Sequence, residues 1–152
     1  MRSVSDINDQ FELIAIQHAQ IRRFYTNSVE EMDIDKLTVV DFPMLYAQVT
    51  GATVETGVTT FDFEVVVADL VVERQLPTLD EVYTSTFLIM QDVIGVFQNT
   101  EAETTGVDDV YGLEMPIVCQ PFTAAYNNLL TGWSTSFSIR VPNALDPCLL
   151  PS

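Results

Sequence analysis

Residues 43–72 decide the fold. Their core is MLYAQVTGATVE (44–55), Thr56-Gly57, then VTTFDFEVVVADLVV (58–72). Two β-rich runs flank a short break, the pattern of a β-hairpin. In the second arm Phe61, Phe63, Val65 and Val67 alternate with Asp62, Glu64 and Val66. Period two puts the first set on one face of a sheet. The first half of that arm has a wet face, whereas VVVADLVV is apolar on both faces and reads as buried on both. Gly51 and Gly57 supply permissive backbone for a bulge or a bend.

Outward from the hairpin, Pro77 resets the chain. Thr78 and Glu81 then form the capping-box pattern T-x-x-E at the start of a helix. Its apolar stripe is Val82, Thr86, Ile89, Met90, Val93 and Phe97, and the spacing predicts an end near Asn99. Upstream, residues 6–24 read as another helix, with Ile7, Phe11, Ile14, His18, Ile21 and Phe24 on one face. Ser5 is the expected cap, and Arg22 and Arg23 fall where cations favour the helix dipole. After the second helix come LEMPIVCQPF (113–122), expected as one strand with an edge or bulge at Pro116, and the last strand GWSTSFSIRV (132–141). Trp133, Thr135, Phe137, Ile139 and Val141 lie on one side of that last strand, to be packed under the helices. Core candidates are therefore Phe61, Phe63, Val65, Trp133, Phe137 and Ile139. The order helix, hairpin, helix, two strands predicts an α+β fold: an antiparallel or mixed sheet with two helices on one face.

A chain of 152 residues fits one domain, here 1–152, with an apolar tail from about 144 to 152. Six Lys plus Arg stand against 22 Asp plus Glu, a net charge of −16. Duplex binding draws on cations at phosphates, so this balance disfavours nucleic-acid binding and, equally, anionic membranes. The acids concentrate in two segments expected to be loops: Glu30, Glu31, Asp33 and Asp35 in 26–42, and Glu101, Glu103, Asp108 and Asp109 in 101–112. The two cysteines, Cys119 and Cys148, match no zinc spacing and read as free thiols in a reducing compartment. MRSVSDIND shows no apolar signal-peptide core, and no apolar run reaches the ~20 residues of a membrane helix.

Motifs for chemistry are missing. Neither GxxxxGK[ST] nor GxGxxG occurs. A Ser-His-Asp site would need His18, the lone histidine, which sits on an apolar stripe. EEMDID offers carboxylates without the spaced ligands and central Gly of an EF-hand. The expectation is no catalytic residue, no metal site and no cofactor. Arg140, on the face of the last strand opposite Trp133 with Ser136 and Ser138, and Arg74 after the hairpin are scarce cations in an acidic chain. Both are candidates for contact with a neighbouring subunit's acids, as are Leu145, Leu149 and Leu150, apolar groups in a tail otherwise facing water.

The segment QPFTAAYNNLLTGWSTSFSIRVPNALDPC (120–148), with Pro121, Phe122, Thr123, Asn128, Leu130, Gly132, Trp133, Pro142, Asn143 and Cys148, resembles the closing part of small structural proteins of tailed bacteriophages that infect Bacteroidetes, crAss-like phages among them. HAQIRRF (18–24), the acidic segment with Asp33 and Asp35, FPMLYA (42–47) and TLDEVYTSTFLIMQDVIGVF (78–97) are similar in kind to its front half. Ala19 and Gln120 depart from it, standing where that group has Pro and an acid. The resemblance implies a virion neck protein, a head–tail connector or tail terminator, assembled in the host cytoplasm. It implies a homo-oligomeric ring of about six or twelve copies beside portal-proximal or tail proteins. DNA would pass through the lumen without specific binding, and the acidic loops would line the lumen or a ring face. Alternatives are a tail tube or capsid-associated protein, or a small cytosolic enzyme or metal-binding module. A sheet complete within one subunit favours connector or terminator; a hairpin shared between neighbours favours a tube.

Overall fold

A computed structural model of the chain describes residues 3–26, 42–70, 79–103, 112–125 and 130–142. They form an α+β fold with a mixed sheet: α1 (Val4–Gln17), β1 (Arg23–Tyr25), β2 (Met44–Glu55), β3 (Val58–Leu70), α2 (Leu79–Glu103), β4 (Gly112–Leu113), β5 (Cys119–Ala125) and β6 (Leu130–Pro142). The strand order is β1-β2-β3-β6, with β4 and β5 both pairing to β6. Among the described strands only the β1–β2 pair is parallel.

The hairpin forms as its pattern requires. β2 and β3 pair from Met44↔Ala68 to Glu55↔Val58, with a register shift between Val49 and Gly51. Gly57 closes the tip at φ 86, a left-handed conformation that costs a side-chain-bearing residue free energy. β3 pairs with β6 along its whole length, from Val58↔Pro142 to Leu70↔Leu130.

α1 is shorter than its apolar spacing predicts. Ser3, not Ser5, is the cap: its hydroxyl accepts the Asp6 N–H at 3.1 Å and donates to Asp6 Oδ2 at 2.9 Å. The helix stops at His18, whose backbone turns extended (ψ 124). Ile21 is buried and Phe24 half-buried against the same core, but they reach it from the turn and from edge strand β1. Arg22 and Arg23 therefore lie beyond the helix, and its last turn carries no cation. α2 runs longer than predicted, so Glu101 and Glu103 belong to a helical turn and not to a loop. The expected strand 113–122 is broken in two. Pro116 cannot donate to a ladder, and Glu114–Val118 leave the sheet between β4 and β5.

Both helices pack on one face. Ile7, Phe11 and Ile14 of α1 and Ile89, Met90, Val93 and Phe97 of α2 meet Phe63, Val65, Val67, Phe137, Ile139 and Val141 of the sheet. At the centre Phe11 has its ring centroid 5.5 Å from Phe63, 4.8 Å from Phe97 and 6.3 Å from Phe137. Each of these four rings comes from a different element, and tilted pairs add to the stabilisation from area burial. On the opposite face a smaller buried cluster gathers Phe42, Met44, Tyr46, Ala68 and Leu130 at the end of the sheet away from the hairpin tip. This is the half of β3 whose sequence is apolar in both phases.

Gly132 faces Ala68 across the β3–β6 ladder. A Cβ there would lie 1.9 Å from the Val67 carbonyl oxygen, a backbone atom that cannot swing aside. Gly132→Ala is expected to destabilise by about 1–3 kcal/mol or more through overpacking. Phe11→Ala, which empties a fully buried ring site, is expected to lose about 3–5 kcal/mol. Urea denaturation followed by circular dichroism reads both, and a change under 0.5 kcal/mol in either would contradict the packing described.

Candidate functional site

The face of the sheet turned away from the helices carries the polar groups. Register places Arg140 opposite Thr60, Ser138 opposite Asp62, Ser136 opposite Glu64 and Ser134 opposite Val66. β2 adds Gln48 beside Glu64, and β5 adds Gln120 beside Ser134. Period-two alternation gives these groups one common side. Hydrogen bonds knit them together: across strands the Ser138 hydroxyl donates to Asp62 Oδ1 and the Thr50 hydroxyl to the Asp62 carbonyl oxygen at 3.3 Å, and within β2 the Tyr46 hydroxyl donates to Gln48 Oε1. Glu64, Val118, Gln120, Ser134, Thr135 and Ser136 line an open hollow of about 310 Å³. The surface offers carboxylates, hydroxyls and an amide, groups suited to docking a polar or cationic partner.

Arg140 is exposed at the margin of this face. A Cβ on Gly112, its partner in β4, would come within 3.1 Å of its Nε. The guanidinium thus lies across the bare backbone of the short edge strand, which orders a long side chain at the rim. An exposed ion pair from there to a neighbour would be worth only ~0–1 kcal/mol, so shape must carry any assembly.

On the reverse side Trp133 fastens α2 to β6. Its indole N–H donates to the Tyr83 carbonyl oxygen at 2.9 Å, and its ring packs on Tyr83 and Phe87 at centroid distances of 5.9 and 5.0 Å. It remains half-buried, as does Phe61, whereas Phe63, Val65, Phe137 and Ile139 are buried.

His18 sits where α1 ends. Its Nε2 lies 2.8 Å from Asp92 Oδ2, and its Nδ1 accepts the Gln20 N–H at 3.1 Å. A ring nitrogen that accepts a backbone N–H is unprotonated, so Nε2 carries the hydrogen and donates to Asp92. Both ring nitrogens are thus engaged in closing the end of α1 onto α2. Cys119 is a free, half-buried thiol. Among the described residues no group of three or more His, Cys, Asp or Glu side chains could hold a metal ion.

Of the acidic candidates, Glu30, Glu31, Asp33, Asp35, Asp108 and Asp109 lie outside the described residues, as do Arg74, Leu145, Leu149 and Leu150. Glu101 and Glu103 are on the final turn of α2. Sequence reading missed the partnership of Asp62 with Ser138 and of Asp92 with His18. Alternation did put Asp62 and Ser138 on wet faces of their strands, but only the β3–β6 register makes them neighbours.

No protein-family model matches the chain, and no curated protein matches it in sequence. Among the described residues no helix is long and apolar enough to cross a membrane. Trp133→Phe keeps most of the ring contact but removes the bond to Tyr83, and should cost about 1 kcal/mol. Chemical denaturation followed by circular dichroism measures this; an unchanged midpoint would show that the bond contributes nothing.

Proposed function

We propose that this chain is a non-enzymatic virion protein that forms a ring at the neck of a tailed phage, as head–tail connector or tail terminator. The observation that carries the reading is that the hairpin's second arm lies inside the sheet of its own chain. β3, the second arm of the hairpin, is paired by β2 from Val58 to Ala68 on one side and by β6 from Val58 to Leu70 on the other. A tube subunit that lends its hairpin to a neighbour's barrel would leave that arm in need of a partner. Here that arm has partners on both sides within the described residues, and copies would meet through side chains and the outer edges. The order and spacing of the motifs that resemble those of small tailed-phage proteins support the same assignment.

The charge then has a mechanical role. A subunit at −16 with six cations in total offers a polyanion little to bind. Affinity for DNA comes from cations that displace counterions at phosphates. A ring of such subunits lets the genome pass without trapping it, and its surface potential repels phosphate.

Native mass spectrometry and negative-stain class averages of the purified chain test this. The expected result is closed rings of about six or twelve copies. A gel-shift assay at about 0.15 M salt should show no retention of duplex DNA. A lone subunit that retards DNA under those conditions would overturn the proposal.

A further inference from the structure

The two ends of the sheet differ in a complementary way. At the β1 end, α1 and β1 enclose an open hollow of about 420 Å³, walled by Ala15, Ile16, Ile21 and Phe24 and rimmed by Glu12, Arg22 and Arg23. Ile16 is 74% exposed there, a large apolar group left in water. Two of the chain's six cations stand at this one place. At the other end, the segment Glu114–Val118 leaves the sheet between β4 and β5. It carries Met115 at 57% exposure and Val118 at 67%, next to the exposed carboxylate of Glu114. One end is thus a mostly polar hollow with the exposed Ile16 and two arginines at its rim, and the other an exposed link bearing two apolar side chains and an acid.

We propose that the Glu114–Val118 protrusion of one copy seats in the α1–β1 hollow of the next. Met115 and Val118 would lie against Ile16, Ile21 and Phe24, with Glu114 meeting Arg22. Net charge argues for this placement. Copies at −16 repel one another over most of their surface, so contact is least costly where the rare cations concentrate. Burial of exposed apolar groups supplies the attraction, and the charge pair sets the orientation. The two patches occupy opposite edges of the sheet, so the contact is head-to-tail. Such a heterologous contact closes into a ring when its rotation divides the circle. The inference rests on the ring reading and specifies its interface.

The test uses the full-length chain and reads oligomer mass against concentration by sedimentation velocity. Arg22→Glu and Glu114→Arg should each weaken assembly at least ~10-fold, and the double variant should recover most of that loss by restoring opposite charges. Both positions are exposed, and circular dichroism checks that each variant folds. Ile16→Asp and Met115→Asp form an independent arm, each spoiling one patch and leaving the other intact. Separately they should be single subunits; mixed, they should form pairs and nothing larger. If the unaltered chain is oligomeric and these substitutions leave its mass unchanged, the interface is elsewhere while the ring reading stands. If the unaltered chain is a lone subunit at every concentration, both readings fall.

Discussion

Phe11 is the point on which the fold depends. Its ring is fully buried and touches one phenyl group from each of β3, α2 and β6. Without that contact α1 would keep only Ile7, Ile14, Ala15 and the His18–Asp92 bond to hold it, and helices of this length are marginal alone. Around Phe11 the remaining contacts become cooperative: Phe97 also meets Phe137 at 6.3 Å, and His18 ties the far end of α1 to Asp92 of α2. Trp133 performs the equivalent service at the opposite end of α2.

With both helices committed to one face, the other is left with two uses. Its half near the first residues of β2 buries a second apolar cluster, and its half nearer the hairpin tip shows carboxylates and hydroxyls. The division follows the composition of β3, where Asp62 and Glu64 give way to Val66 and Ala68 in the same phase. A subunit organised this way has a rigid, helix-backed sheet to hold its edges in place. Such a platform would suit the self-assembly proposed above.

Reading from sequence succeeded where a local rule and the tertiary environment agree. The hairpin and its turn are legible because alternation, β-branched composition and Gly57 all point the same way. It failed where distant residues imitate a local pattern. Ile21 and Phe24 continue the helical spacing of Phe11 and Ile14, yet they are core residues contributed by a turn and a strand. Pro116 signalled an irregularity, but its outcome, two stubs on one neighbour, depends on how β6 offers its edge. The apolar spacing of α2 stops at Phe97 and so predicts an end near Asn99, whereas the helix continues to Glu103 beyond the buried Val93 and Phe97.

The residues by themselves determined the fold class, the hairpin and its register-setting turn, the apolar face of α2, and the excess negative charge, since each depends on short-range periodicity or on simple composition. Only the tertiary structure decided where α1 ends, that β1 lies parallel to β2, that Asp62 meets Ser138 and Asp92 meets His18, and that the two ends of the sheet bear opposed patches. These are pairings between residues far apart in the chain, and a one-dimensional pattern carries no distance between them until the sheet's strand order is known.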